Sequence, residues 1–412
     1  MSENGFPLEG VKVVELATFV AAPSCCRYLA DLGADVVKIE TARGDNLRYT
    51  AINEGRPSGD MEDTTYTLMN TGKRAIVLNL KTDAGMEAFQ KLLADADVFV
   101  TNWRPAALER LGLDYETLSK KYPKLVMGIV LGNGEKGPEK DLPGYDFTSY
   151  FARSGIMGTL YDADSIPMLP CAGFGDYQVA MFLASGIMAA LLRARETGRG
   201  DKVSVGLLQA GLWDVSINLT ASQYGDPNMQ YPVARNTIPN QLQLPHKTKD
   251  DRWFMISIPP YDLLYNKFME TIDRPDLVND ERFYPQANCV EHLDELYDII
   301  KEAIAGQDLE YWTKRFAEAD LPASKCYTWD ELLNDEQCWA NDYLAEVEFP
   351  SGNKRTLVRT PVTFADTPLP PYERAPWLGE HTKEVLAEIG YTDEQIDSMI
   401  DAGDASDLVR VS

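Results

Sequence analysis

The amino-terminal third of the chain repeats one pattern, and that pattern leaves few folds open. "VKVVEL" (11–16) is short, apolar and β-branched, which reads as a buried strand. "APSCCRYLADLGA" (22–34) follows with helical spacing and closes near Gly33, and "DVVKIE" (35–40) is a second strand. A strand–helix–strand unit of about 30 residues implies two parallel strands joined by a crossover helix. The pattern returns as "AIVLNL" (75–80), "DAGMEAFQKLLADA" (83–96) and "DVFVTN" (97–102), and a further strand, "LVMGIVL", spans 125–131. Alternation of this kind predicts an α/β fold with an open, Rossmann-like parallel sheet. The stretch 132–146 is rich in Gly, Pro and charge and reads as a loop.

After a long helical pattern near 171–195, the text turns polar between 223 and 250, as a linker or domain boundary would. One strand, "WFMISI", and several helical stretches then suggest a smaller α+β domain. A hairpin around "SGN" and two short amphipathic helices complete the chain. The expected division is 1–222 as a large domain, 223–334 as a small domain with its linkers, and 335–412 returning to the large one.

Charge and composition exclude several functions. The 412 residues carry a formal net charge of −25, which argues against a nucleic-acid partner or an anionic membrane surface. If the ligand is an anion, basic residues must gather locally against that field. No apolar run reaches the roughly 20 residues of a membrane span, and the opening "MSENGFPLEG" does not read as a secretory signal. Six scattered cysteines without a CxxC fit free thiols in a reducing cytoplasm, and three isolated histidines offer no metal site. The glycine fingerprints of dinucleotide and P-loop sites are absent: the first strand runs into "ATFVAAPS".

Two places attract chemical interest. In "CAGFGDYQVAMFLASGIMAALLRAR" (171–195), Asp176 stands between a glycine and a long apolar pattern. It suits a helix N-cap, which accepts backbone N–H groups. It equally suits a nucleophilic carboxylate, kept charged by the helix end and made reachable by Gly173 and Gly175. The residues alone do not separate the two. Elsewhere, Lys73, Arg74 and Lys81 flank one strand, and "TNWRPAALERLG" sets Asn102, Trp103, Arg104 and Arg110 just beyond another. In an open α/β sheet, ligands bind outside the carboxyl ends of the strands. A stacking ring beside cationic side chains there suits an adenine nucleotide with phosphates.

Taken together, "LEGVKVVELATFVAAP", "LGADVVKIE", "NTGKRAIVLNLKT", "DVFVTNWRPAALERLGLDY", "PGYD", "GFGDYQVAMFLASGIMAALL", "RETGRGDKVSVGLLQA" and "APWLGEHTKEVLAEIG" resemble the class III CoA-transferases over nearly the whole chain. "GDNLRYTAINEGRP" and "DEQCWANDYL" look closest to the branch that moves CoA between 2-hydroxy acids and enoyl acids, as phenyllactate and 2-hydroxyisocaproate CoA-transferases do. The resemblance implies Asp176 as the nucleophile, passing through an aspartyl anhydride and an aspartyl-CoA thioester. It implies CoA contacts at Phe19, Ala21, Leu78, Lys81, Asn102, Trp103 and Arg110, to which the local reading adds Arg104, with Tyr145 and Asp146 beside the reacting centre. It also implies CoA thioesters as substrates with no permanently bound cofactor or metal, and an interlocked homodimer whose large domain is built from both chain ends. The chain departs from the formyl-type members at Val20, where they carry Gln, and at Thr41, where they carry Arg. Phe19, Val20, Tyr177 and Met181 suggest an apolar acid rather than oxalate or formate.

Two rival readings follow. An α-methylacyl-CoA racemase shares the family fold but needs a base on each side of the α-carbon, supplied in that family by a His in "GHD". Here "PGYD" places Tyr145 there, and a phenol that titrates near about 10 is a poor base. The other rival is a non-catalytic CoA-binding protein in which Asp176 only caps a helix.

Overall fold

The computed structural model describes residues 5–163, 165–225, 232 and 234–411. The opening tetrapeptide and most of 226–233, inside the expected linker, lie outside the described residues.

Six parallel strands build the central sheet: β1 (Lys12–Leu16), β2 (Asp35–Glu40), β3 (Arg74–Leu78), β4 (Val98–Thr101), β5 (Val126–Leu131) and β6 (Lys202–Gly206). Their spatial order is 3-2-1-4-5-6, and Ala405–Ser406 adds an antiparallel edge beside β3. The fold is therefore α/β with a mostly parallel sheet. Its strands are buried on both faces and read as continuous apolar runs, as they must when helices cover each side. β5 has no exposed residue, and β2 is buried at every position after Asp35.

The crossover helices carry their apolar stripes onto the sheet. In α1 (Ala21–Asp31), Ala22, Cys25, Cys26 and Leu29 are fully buried. Burial also raises both thiols, which leaves Cys25 and Cys26 as protonated core residues. α2 (Asp83–Asp95) buries Ala88, Phe89, Leu92 and Leu93 behind a Thr82 cap that accepts the Gly85 N–H. α3 (Pro105–Leu111) follows β4. α4 (Phe174–Thr197) is, among the described residues, the one helix long and apolar enough to cross a membrane. It is a core helix here: Val179, Ala180, Leu183, Ala184 and Ile187 are fully buried, and it packs on α1, β5 and β6.

The chain divides into two compact units. The first comprises 1–154, 170–214 and 336–412, and holds the seven-stranded sheet and the hairpin of β10 (Leu344–Glu348) and β11 (Lys354–Val358). The second comprises 155–169 and 215–335. It contains a three-stranded antiparallel sheet of β7 (Pro245–Lys247), β8 (Trp253–Ile256) and β9 (Ala323–Lys325). Helices cover it around a core of Phe254, Tyr265, Phe268, Trp312 and Phe316.

Candidate active site

A sheet ordered 3-2-1-4-5-6 reverses direction between β1 and β4, and a crevice opens outside their carboxyl ends. Two side chains stitch that opening together. Thr101 Oγ1 donates to Leu16 O at 2.8 Å. Asn102 Nδ2 donates to Thr18 O at 2.7 Å, and its Oδ1 accepts the Thr18 N–H at 3.1 Å. The Asn102 amide is thus engaged in holding two strand ends in register, and it shapes the crevice as much as it lines it.

Two cavities lie along this edge, sharing Thr18 and Trp103 as a partition. The first, of about 360 Å³, is lined by Phe19, Val20, Ala21, Asn102, Trp103, Arg104, Tyr145 and Asp176, with Leu131, Lys140, Leu142 and Leu207. The second, of about 390 Å³, has an apolar floor of Leu16, Ile39, Leu78, Leu80 and Leu111, with Lys81 and Arg110 among its lining residues. The residues proposed from sequence therefore fall on two adjoining cavities. Asp146 lines neither. Of the three basic residues around β3, only Lys81 faces a cavity: Lys73 is buried against Glu15, and Arg74 pairs with Asp35, Glu384 and Glu388.

The local sequence explains how Asp176 reaches the cavity. Gly173 takes φ 84°, a left-handed turn that starts α4, so Gly173 is the N-cap and Asp176 sits within the first turn. The N-cap reading of this carboxylate is thereby set aside. Gly175 is required for a different reason: a Cβ there would fall on the Tyr150 ring and the Asp146 carboxylate. Both belong to a π-helical segment, Asp146–Ala152, that runs beneath the start of α4. Asp146 Oδ1 accepts the Gly175 N–H at 3.0 Å, and Tyr150 OH donates to Asp214 at 2.5 Å.

Two poorly solvated carboxyl groups thus lie near each other, Asp176 on the cavity and Asp146 behind it. Burial, and then the like charge of Asp146, push Asp176 up to about 7. Burial pushes Asp146 up to about 6 despite its backbone hydrogen bond. The sequence suggests a helix end that keeps Asp176 charged. In the structure, loss of water and then a neighbouring carboxylate raise the group instead.

The opposite wall is aromatic. The Phe19 and Tyr145 rings meet edge to face, 6.2 Å apart and 85° between planes. Phe19 holds φ 66°, a conformation that costs a bulky residue roughly 1–3 kcal/mol. Among the lining residues that escape the sequence reading, two are charged side chains of particular interest. Lys140 lines the first cavity from a loop that reads only as a break in the pattern, and Asp45 lines the second. Lys140 stands in "EKGPEKDLPGYD", five residues before Tyr145, and that proximity is the available signal.

The sequence model of CoA-transferase family III matches residues 8–382, and the chain belongs to that family. It is a class III CoA-transferase. It is 47% identical over 404 residues to the cinnamoyl-CoA:phenyllactate CoA-transferase of Clostridium sporogenes, covering 97% of each chain. It is 40% identical over 395 residues to the (R)-2-hydroxy-4-methylpentanoate CoA-transferase of Clostridioides difficile, covering 96% of this chain and 98% of that one. Among solved structures, a CAIB/BAIF family protein from Brucella suis superposes with a TM-score of 0.78 at 28% identity, over 94% of this chain and all of the other.

Proposed function

We propose that the enzyme transfers CoA from an enoyl- or aryl-enoyl-CoA to a 2-hydroxy carboxylic acid such as phenyllactate or 2-hydroxyisocaproate, with Asp176 as the covalent carrier. The Asp176 carboxylate attacks the thioester carbonyl and expels CoA thiolate, leaving an aspartyl anhydride. The thiolate then attacks the aspartyl carbonyl, releases the donor acid and leaves an aspartyl-CoA thioester. The acceptor carboxylate attacks that thioester, and the thiolate so released takes the acceptor acyl group from the new anhydride and frees Asp176. Each step exchanges one activated acyl bond for another, so neither ATP nor a metal enters the balance.

The observation that carries this reading is the placement of Asp176: a carboxyl at about 7, in a cavity walled by Phe19, Val20, Leu142 and Tyr145. Burial disfavours the ion but leaves it poorly solvated and therefore reactive once formed, and the apolar wall suits an aryl or branched side chain. CoA would lie along the second cavity, with Trp103 and Leu78 beside the adenosine part and Lys81 and Arg110 answering its phosphates, while Arg104 lines the first cavity next to the shared Trp103. These cations also answer the charge question, because the protein is strongly acidic as a whole. A homodimer and a cytoplasmic setting belong to the same proposal. Exposed apolar side chains such as Leu169, Trp213 and Ile217 support the first, and free cysteines such as Cys171 and Cys326 support the second. A racemase finds no support, since Tyr145 occupies the place of its base.

The test is an exchange assay with one enoyl-CoA donor across a panel of carboxylic acids. CoA transfer to 2-hydroxy acids with apolar side chains, far above transfer to oxalate or formate, is expected. Preference for oxalate or formate, or epimerisation without exchange, would overturn the reading.

A further inference from the structure

The stretch "GDNLRYT" (44–50) enters none of the steps above, yet it lies directly behind the turn between β1 and α1. Glu15 on β1 and Lys38 on β2 stand opposite each other in the sheet register and meet at 2.7 Å, fully buried. Lys73 closes on the other Glu15 oxygen at 2.6 Å. Lys38 also reaches Asp45 at 3.0 Å, and Glu40 holds both the Asp45 N–H and the Arg48 guanidinium at 2.7 Å. Burial alone would raise the Glu15 carboxyl, but Lys38 and Lys73 pull it below the usual carboxylate range. Six charges, three of each sign, are thus buried beneath the crevice, with Glu40 and Asp45 at the wall of the second cavity. Buried ion pairs of this kind are a poor source of stability, because desolvation offsets their attraction. What such a chain fixes is position.

Asp45 is where the chain meets the active site. Its Oδ1 accepts the Phe19 N–H at 3.0 Å and the Leu47 N–H at 3.0 Å. Phe19 is the residue in the left-handed conformation, and Thr18, Val20 and Ala21 around it all line the first cavity. Apart from Leu408, the other described non-glycine residues with positive φ are Asp or Asn, which tolerate it. A phenylalanine does not adopt it unaided. We propose that Asp45 is a positioning residue of the transferase. Its carboxylate, anchored on Lys38, clamps the Phe19 amide and holds the β1–α1 turn in the shape that presents Phe19, Val20 and Ala21 to the reacting groups. This rests on the CoA-transfer reading of that cavity.

The test is a double-substitution cycle on the full chain, reading kcat for CoA exchange with saturating acyl-CoA. Asp45→Ala is expected to lower kcat by roughly 10²-fold, the scale of a misplaced reacting geometry. In a Phe19→Gly background the same substitution is expected to cost only a few-fold, since glycine takes the left-handed turn without a clamp. Asp45→Asn keeps the acceptor for Phe19 while losing the charge toward Lys38, and it is expected to recover most of the loss. Should Asp45→Ala fail to fold, Asp45→Ser, too short to reach the amide, takes its place in the cycle. Equal losses in the unsubstituted and Phe19→Gly backgrounds, or an Asn variant as impaired as the truncated one, would overturn the proposal. Absence of CoA transfer by the unsubstituted enzyme would instead overturn the reading of the site itself.

Discussion

The two cavities at the carboxyl edge of the sheet differ little in size and greatly in chemistry. The first, of about 360 Å³, contains Asp176 displaced to about 7 and an aromatic wall of Phe19 and Tyr145. The second, of about 390 Å³, is floored by aliphatic side chains, with Lys81 and Arg110 on it. One is built around a group that changes state, the other around surfaces that do not. The difference follows from what each faces. The first lies against the start of α4 and the π-helical segment, which withhold water from a carboxyl group. The second lies over the ends of β1, β2 and β3, where Leu16, Ile39 and Leu78 make a mostly apolar floor.

Substitutions should therefore separate kcat from KM according to the cavity they touch. Asp176→Ala should lower kcat by on the order of 10⁴-fold or more, the scale of losing a nucleophile, while acyl-CoA still binds in a calorimetric titration. Gly175→Ala forces a methyl onto Tyr150 and Asp146. It should cost about 1–3 kcal/mol of stability in denaturant unfolding and impair kcat, because the Asp176 turn must move. Arg110→Ala, in the second cavity, should raise the KM for acyl-CoA roughly tenfold, as loss of one charge-assisted contact does, with kcat nearly unchanged. If Arg110→Ala lowered kcat and spared KM, the division of labour between the cavities would fail. The smallest effect is in pH dependence. If Asp176 attacks as its ion, as proposed, kcat should fall as pH drops through about 7. Asp146 adds like charge that raises Asp176, so Asp146→Asn should move the midpoint to lower pH. An upward move would contradict the coupling.

How much of this is readable beforehand differs along the chain. β1, β2, β4 and β5 announce themselves as short β-branched runs, and the observed strands match those stretches to within a residue or so. Their burial on both faces makes the pattern continuous and hard to miss. The residues after β4 are legible too, because a switch-point position can be argued from strand order once a parallel sheet is assumed. The π-helical segment is not. "DFTSYFA" has no periodicity that distinguishes a π-helix from a loop, and its placement depends on contact with Gly175, 29 residues beyond Asp146 in the chain. The direction of the Asp176 shift escapes the sequence for a similar reason: proximity to a helix end is visible there, but loss of water and a carboxylate from a distant segment are tertiary facts. Likewise "VVEL" and "VVKIE" show charged residues inside strands, yet nothing local says that Glu15 and Lys38 would face each other.

The central claim is that one carboxyl group carries first an acyl group and then CoA. Enzyme mixed with an enoyl-CoA donor, quenched with neutral hydroxylamine, digested and analysed by peptide mass spectrometry reads this directly. A hydroxamate confined to the peptide bearing Asp176 is expected, absent when the donor is omitted. An unmodified Asp176 peptide in an enzyme that exchanges CoA at full rate would contradict the account.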